Sequence, residues 1–135
     1  MEKIGKQLWN LKGKTLGILG LSFKANTDDM RFAPSIDIIQ ALLKEGVRLR
    51  AYDPQATANA REIFGAQMTY VKNPYEAARR ADALVVLTEW PEFLEIDFKR
   101  VKKLLRHPVV FDGRNLYERE RLKKLGFQYF GVGRG

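Results

Sequence analysis

The hydrophobic positions of the chain alternate between two patterns. Short apolar runs at 14–21 (KTLGILGL), 83–88 (ALVVLT) and 108–112 (PVVFD) have the length of buried strands, and the second, the most apolar, marks a central strand covered on both faces. VRLRAY at 47–52 alternates apolar and basic residues as a half-exposed strand does. MTYV at 68–71 and FQYFGV from 127 supply two shorter strands. Helical segments lie between them. Ile36, Ile39, Leu42 and Leu43 recur at helical spacing behind Pro34, which suits a first turn, and Gly46 suits the stop. Further helices are predicted near 56–64, from Asn73-Pro74 to about Arg80, from an Asp97 cap to about Leu105, and over about 117–124.

This alternation over 135 residues predicts a single α/β domain: a doubly wound, mostly parallel, Rossmann-like sheet with helices on both faces and strand order 3-2-1-4-5. Residues 1–12 read as a lead-in and 13–135 as the domain. In such sheets ligands bind outside the carboxyl ends of the strands, where the strand order reverses. Three polar clusters fall there: GLSFKANTDDMR (20–31), TEWPEF (88–93) and DGR (112–114). Lys24, Arg31, Thr88, Glu89, Trp90 and Arg114 would then surround one crevice. Its cations suit a phosphate or a carboxylate.

The glycines restrict the choice of ligand. Gly17 and Gly20 give G-x-x-G and the next eleven residues contain none, so no backbone cradle for a dinucleotide pyrophosphate is expected. The loop has to act through side chains. Asp53 ends the second strand where an acidic ribose ligand would stand, but Asp53-Pro54 is equally an Asx turn. Trp90, Met30, Phe32 and Phe23 can each line the pocket or anchor a loop. Asp28 and Asp29 read as capping and salt-bridge partners beside Arg31. His107 reads as a loop residue, and no metal site is proposed.

Composition narrows the classes further. The hydrophobic fraction of 45% supports a packed core. With 0 cysteines the chain offers no disulfide, thiolate metal site or cysteine nucleophile, which fits a reducing, cytoplasmic setting. No apolar run approaches the ~18 residues of a membrane helix, and the first residues lack a secretion signal. Net charge is +8, with ten Lys/Arg against three acids in residues 99–124. That segment reads as solvated helix faces, since no Gly-rich or aromatic-interleaved stretch accompanies it as in a nucleic-acid site.

Gly20-Leu21-Ser22-Phe23-Lys24, Asn26-Thr27-Asp28-Asp29, Arg31, Pro34-Ser35, Tyr52-Asp53-Pro54, Thr88-Glu89-Trp90 and Asp112-Gly113-Arg114 together resemble the carboxyl-terminal domain of the UDP-glucose/GDP-mannose dehydrogenase family. The likeness runs from about Gly13 to Gly133. Phe32 departs from it, where many relatives have Glu. The resemblance implies a UDP-sugar-binding domain of an NAD-dependent, homo-oligomeric nucleotide-sugar 6-dehydrogenase of the UDP-glucose to UDP-glucuronate type. Phe23, Lys24 and Arg114 would contact the UDP-sugar, with Trp90 flanking it. Arg31 would reach the NAD held by an amino-terminal domain, and a central region would supply the catalytic cysteine. Neither region is in these 135 residues, so the chain is expected to be an excised domain or fragment without turnover of its own. Two alternatives stay open: a free-standing nucleotide-binding or regulatory module without redox activity, and a nucleic-acid-binding domain resting on residues 99–124.

Overall fold

A computed structural model describes residues 12–22, 24–31 and 33–131. The strands are β1 (Thr15–Leu19), β2 (Arg48–Tyr52), β3 (Thr69–Tyr70), β4 (Ala83–Val86), β5 (Val109–Asp112) and β6 (Gln128–Gly131). They form one sheet in the order β3-β2-β1-β4-β5-β6, and every neighbouring pair is parallel. Five α-helices connect them: α1 (Pro34–Lys44), α2 (Thr57–Phe64), α3 (Pro74–Ala78), α4 (Phe98–Leu104) and α5 (Arg119–Lys124). Short 3-10 turns at Gly65–Gln67 and Pro91–Glu95 complete the chain, and the apolar pattern gave no sign of either.

The period of two along each central strand sorts its side chains onto two cores. On one face Leu16, Ile18, Ala83, Val85, Val109 and Phe111 pack with Ile39 and Leu42 of α1 and with Ala60 and Phe64 of α2. On the other, Leu84, Val86 and Val110 meet Ala77 of α3, Val101 of α4 and Leu122 of α5. β4 is buried at all four positions, as expected of a strand covered on both faces.

Gly17 faces α3 across this second core. A Cβ there would stand 2.3 Å from the Ala77 carbonyl oxygen, so only glycine lets the helix approach the strand so closely. β1 splits from its neighbours in chain order here: β2 follows it on one side and β4 lies on the other. The loops that carry the three polar clusters leave the carboxyl ends of β1, β4 and β5, next to that split.

Candidate functional site

The loop after β1 is clamped by side chains from three other segments. Gly20 has φ +94°, and a Cβ on it would lie 2.5 Å from that of Thr88. The amides of Leu21 and Ser22 donate to Asp53 Oδ2 at 2.8 and 3.2 Å. Ser35 Oγ, in the first turn of α1, donates to the Leu21 carbonyl at 2.5 Å, and Thr88 Oγ1 donates to the Ser22 carbonyl at 2.9 Å. Ser22 Oγ in turn donates to the Lys24 carbonyl at 2.7 Å. Lys24 is itself exposed, with its own carbonyl tied to Ser22.

Asp53 is the hub of this arrangement. It is 4% exposed and its carboxylate accepts five hydrogen bonds: those from Leu21 and Ser22, those from the Gln55 and Ala56 amides to Oδ1 at 2.8 and 2.7 Å, and one from Trp90 Nε1 at 3.2 Å. Both of its oxygens are engaged by the protein, so the ribose reading of Asp53 gives way to that of a turn acid with a wider structural reach. Trp90 is 5% exposed, in the same core as Phe93 and Leu84. Its ring packs into that core, with Nε1 directed to Asp53.

The third cluster turns on Asp112. It lies 1% exposed at the end of β5. Oδ1 accepts the Arg114 amide at 3.1 Å; Oδ2 accepts the Tyr117 amide at 2.9 Å and the Tyr129 hydroxyl at 2.8 Å. Burial, with Asp112 nearby, pushes the Tyr117 phenol far above its usual range. Gly113 lets the chain pass close to β4, because a Cβ would stand 3.0 Å from the Val86 carbonyl oxygen. The Arg114 side chain emerges partly exposed, with Nε held by Glu89 from the loop after β4. That partner is neither Asp112 nor Glu118, the surface bridges its sequence neighbours would suggest.

Arg31 is held within its own loop. Its side chain is 83% exposed and closes a fork on Asp29, with Nε to Oδ1 at 3.1 Å and Nη2 to Oδ2 at 3.0 Å. The hydrogen bond from Arg31 holds the Asp29 carboxyl below its usual range. Both residues line a shallow groove with Ile36 of α1 and Asn59 and Ile63 of α2. Phe23 and Phe32 lie outside the described residues. His107 is an exposed loop residue 3.8 Å from Asp82.

The carboxyl rim therefore offers a lysine on a fixed loop and an arginine with one nitrogen bound to a carboxylate, above a buried polar seam. It can bind an anion. It also does not fit a dinucleotide pyrophosphate, because the space in front of Gly17 is filled by Ala77 and that in front of Gly20 by Thr88. Residues 17–119 match the UDP-glucose/GDP-mannose dehydrogenase family, UDP binding domain. The chain belongs to this family. A UDP-glucose 6-dehydrogenase of Rhizobium meliloti is 44% identical over 93% of the chain and 28% of its own length. The Bacillus subtilis UDP-glucose 6-dehydrogenase TuaD is 42% identical over 99% of the chain and 29% of its own length. Among solved structures, a UDP-glucose dehydrogenase from Pyrobaculum islandicum superposes with a TM-score of 0.83 at 30% identity, over 99% of this chain and 28% of that one. The chain thus spans less than a third of the length of these relatives, and the Rossmann-like fold is common to them.

Proposed function

We propose that the chain is the UDP-sugar-binding part of an NAD-dependent nucleotide-sugar 6-dehydrogenase, and that Lys24 and Arg114 hold the UDP-sugar. The observation that carries this reading is the meeting of the loops after β1, β2, β4 and β5 at the carboxyl rim of a UDP-binding-domain fold. Lys24 supplies a point charge. The planar guanidinium of Arg114 supplies paired donors matched to two oxygens of a nucleotide. Trp90 and Asp53 act one layer below, fixing the loops that present these cations. Phe23, next to Lys24, takes the neighbouring contact with the UDP-sugar. Arg31, leashed only by Asp29, is the residue placed to reach outward to NAD bound by another part of the whole protein. With 0 cysteines the chain lacks a thiolate for covalent intermediates, so it binds without turning over.

UDP titration by calorimetry tests this. Arg114→Ala should keep the fold and weaken UDP-sugar binding by roughly 2–3 kcal/mol, and Arg114→Lys should recover only part of that. Arg121→Ala, from the basic helix α5, serves as the control. Equal losses in Arg114→Ala and Arg121→Ala would reduce the effect to diffuse charge and overturn the assigned site. A steady, concentration-dependent formation of NADH by the purified chain would overturn the account of its inactivity.

A further inference from the structure

The opposite end of the sheet holds a second concentration of charge. Arg48, Arg50, Arg79, Arg80 and Arg106 line one groove at the amino ends of the strands, and Glu76 is the only acid among its lining residues. Glu76 is shared: Arg50 Nη2 lies 3.6 Å and Arg79 Nη1 3.8 Å from its carboxylate, while Arg50 Nε donates to its backbone oxygen at 3.0 Å. Among the described residues, Arg48, Arg80 and Arg106 have no carboxylate within 4 Å. Arg80 also carries a positive φ of +56°, which is uncommon for a side chain of its size. It is the third residue of a type II turn, in which Arg79 has φ −59° and ψ 116° and the Ala81 N–H donates to the Ala78 carbonyl at 3.0 Å. Two further backbone hydrogen bonds flank the turn: Arg80 N–H donates to Leu104 and Arg106 N–H to Ala81, both at 2.8 Å. The same two bonds join the turn after α3 to the end of α4 and so bring Arg80 and Arg106 to one edge.

We propose that this groove binds a small ligand carrying two or more linked phosphates, independently of the carboxyl rim. Five guanidiniums facing one carboxylate repel one another, and a multiply charged anion relieves that repulsion. A single phosphate leaves most of it in place. Guanidinium forks match phosphate oxygens, and a groove lined by one sign of charge raises the local concentration of the opposite ion. Its lining contains no aromatic side chain, so it lacks the stacking platform that single-stranded nucleic acid uses.

The probe is tripolyphosphate titrated into the chain by calorimetry. With Arg114→Ala as the background, so that the carboxyl rim is weakened, a saturable site is expected, and adding Arg80→Gly or Arg106→Ala should weaken it about tenfold. Arg80→Gly suits the left-handed backbone and keeps the fold, so its loss of binding reads the guanidinium. Equal affinity for orthophosphate, or an equal loss in Arg121→Ala, would overturn the proposal. So would stronger competition from a single-stranded oligonucleotide, which would give the groove to nucleic acid. Loss in Arg114→Ala alone would return the phosphates to the carboxyl rim and overturn the separate site. UDP titrated into the Arg80→Gly, Arg106→Ala double variant reads the rim by itself, so either assignment can fail without the other.

Discussion

The two ends of the sheet treat charge in opposite ways. At the carboxyl end the buried acids Asp53 and Asp112 are saturated by backbone and side-chain donors, and the rim cations Arg31 and Arg114 each already hold an acid. At the amino end arginines gather round one glutamate. An anion reaching Arg114 or Arg31 has to share or replace an existing partner, so affinity for either arginine is a difference between two ion pairs and depends on placement. At the amino end it adds to unmatched charge, so affinity depends on the number of negative charges. Selectivity should therefore be sharper at the carboxyl rim and salt sensitivity greater at the amino groove.

The largest effect expected at the carboxyl end comes from breaking its hub. Asp53→Ala strands buried donors on Leu21, Ser22, Ala56 and Trp90 and should cost about 3–4 kcal/mol in urea unfolding. A cost below about 1 kcal/mol would mean that the loops are held by packing alone. Next is the competition at Arg114. Glu89→Gln removes the charge that holds Nε and should tighten UDP binding by about three- to tenfold; unchanged or weaker binding would show that Glu89 orients the arginine rather than competing for it.

Alkaline titration gives a smaller effect. Burial, and then the Glu92 carboxylate that its hydroxyl meets at 3.1 Å, push the Tyr52 phenol up to about 12. Tyr70 and Tyr117 are raised as well, burial being the main cause for each. A phenol whose ionisation is suppressed in the folded state contributes stability that is fully present below its ordinary value of 10.0 and is lost as pH rises toward the folded value. Unfolding midpoints should fall between pH 10 and 12, and Tyr52→Phe should flatten part of that slope. The smallest effect belongs to Asp29. Its lowered pKa means that whatever the Arg31 pair contributes is present above the ordinary value of 3.8 and is lost as pH falls through the lowered one. The pair is exposed, so Asp29→Asn should leave the melting temperature at pH 7 unchanged, and a marked drop would show that it holds the loop.

The fold was legible because its signals are local. The run at 83–88, the Pro34 start and the Gly46 stop are each readable within a dozen residues, and strand–helix alternation then gives the order of the sheet. The site was legible only in part. Asp29 and Arg31 are two residues apart and were paired correctly. Asp53 meets Leu21 and Trp90, 32 and 37 positions away, and Glu89 meets Arg114 across 25. The strand order brought Glu89, Trp90 and Arg114 to the same rim, but which side chain there meets which depends on loop geometry that single-sequence spacing does not carry. Trp90 after a strand end reads the same whether its ring turns toward a ligand or the core. Charge counting drew attention to residues 99–124, whereas four of the five groove arginines lie outside that segment, at 48, 50, 79 and 80.

The bond from Trp90 Nε1 to Asp53 also gives the molecule an optical property. An indole 5% exposed emits as a buried chromophore, and this one is tethered to the acid that ties the first loop to the second strand. The chain has 2 tryptophans, Trp9 and Trp90, so Trp9→Phe leaves a single emitter at that junction. Its emission maximum would shift to longer wavelength when water reaches the indole, whether or not the sheet has melted. Circular dichroism follows the helices separately, so a change in fluorescence that precedes it would time the loosening of the carboxyl rim as a local event.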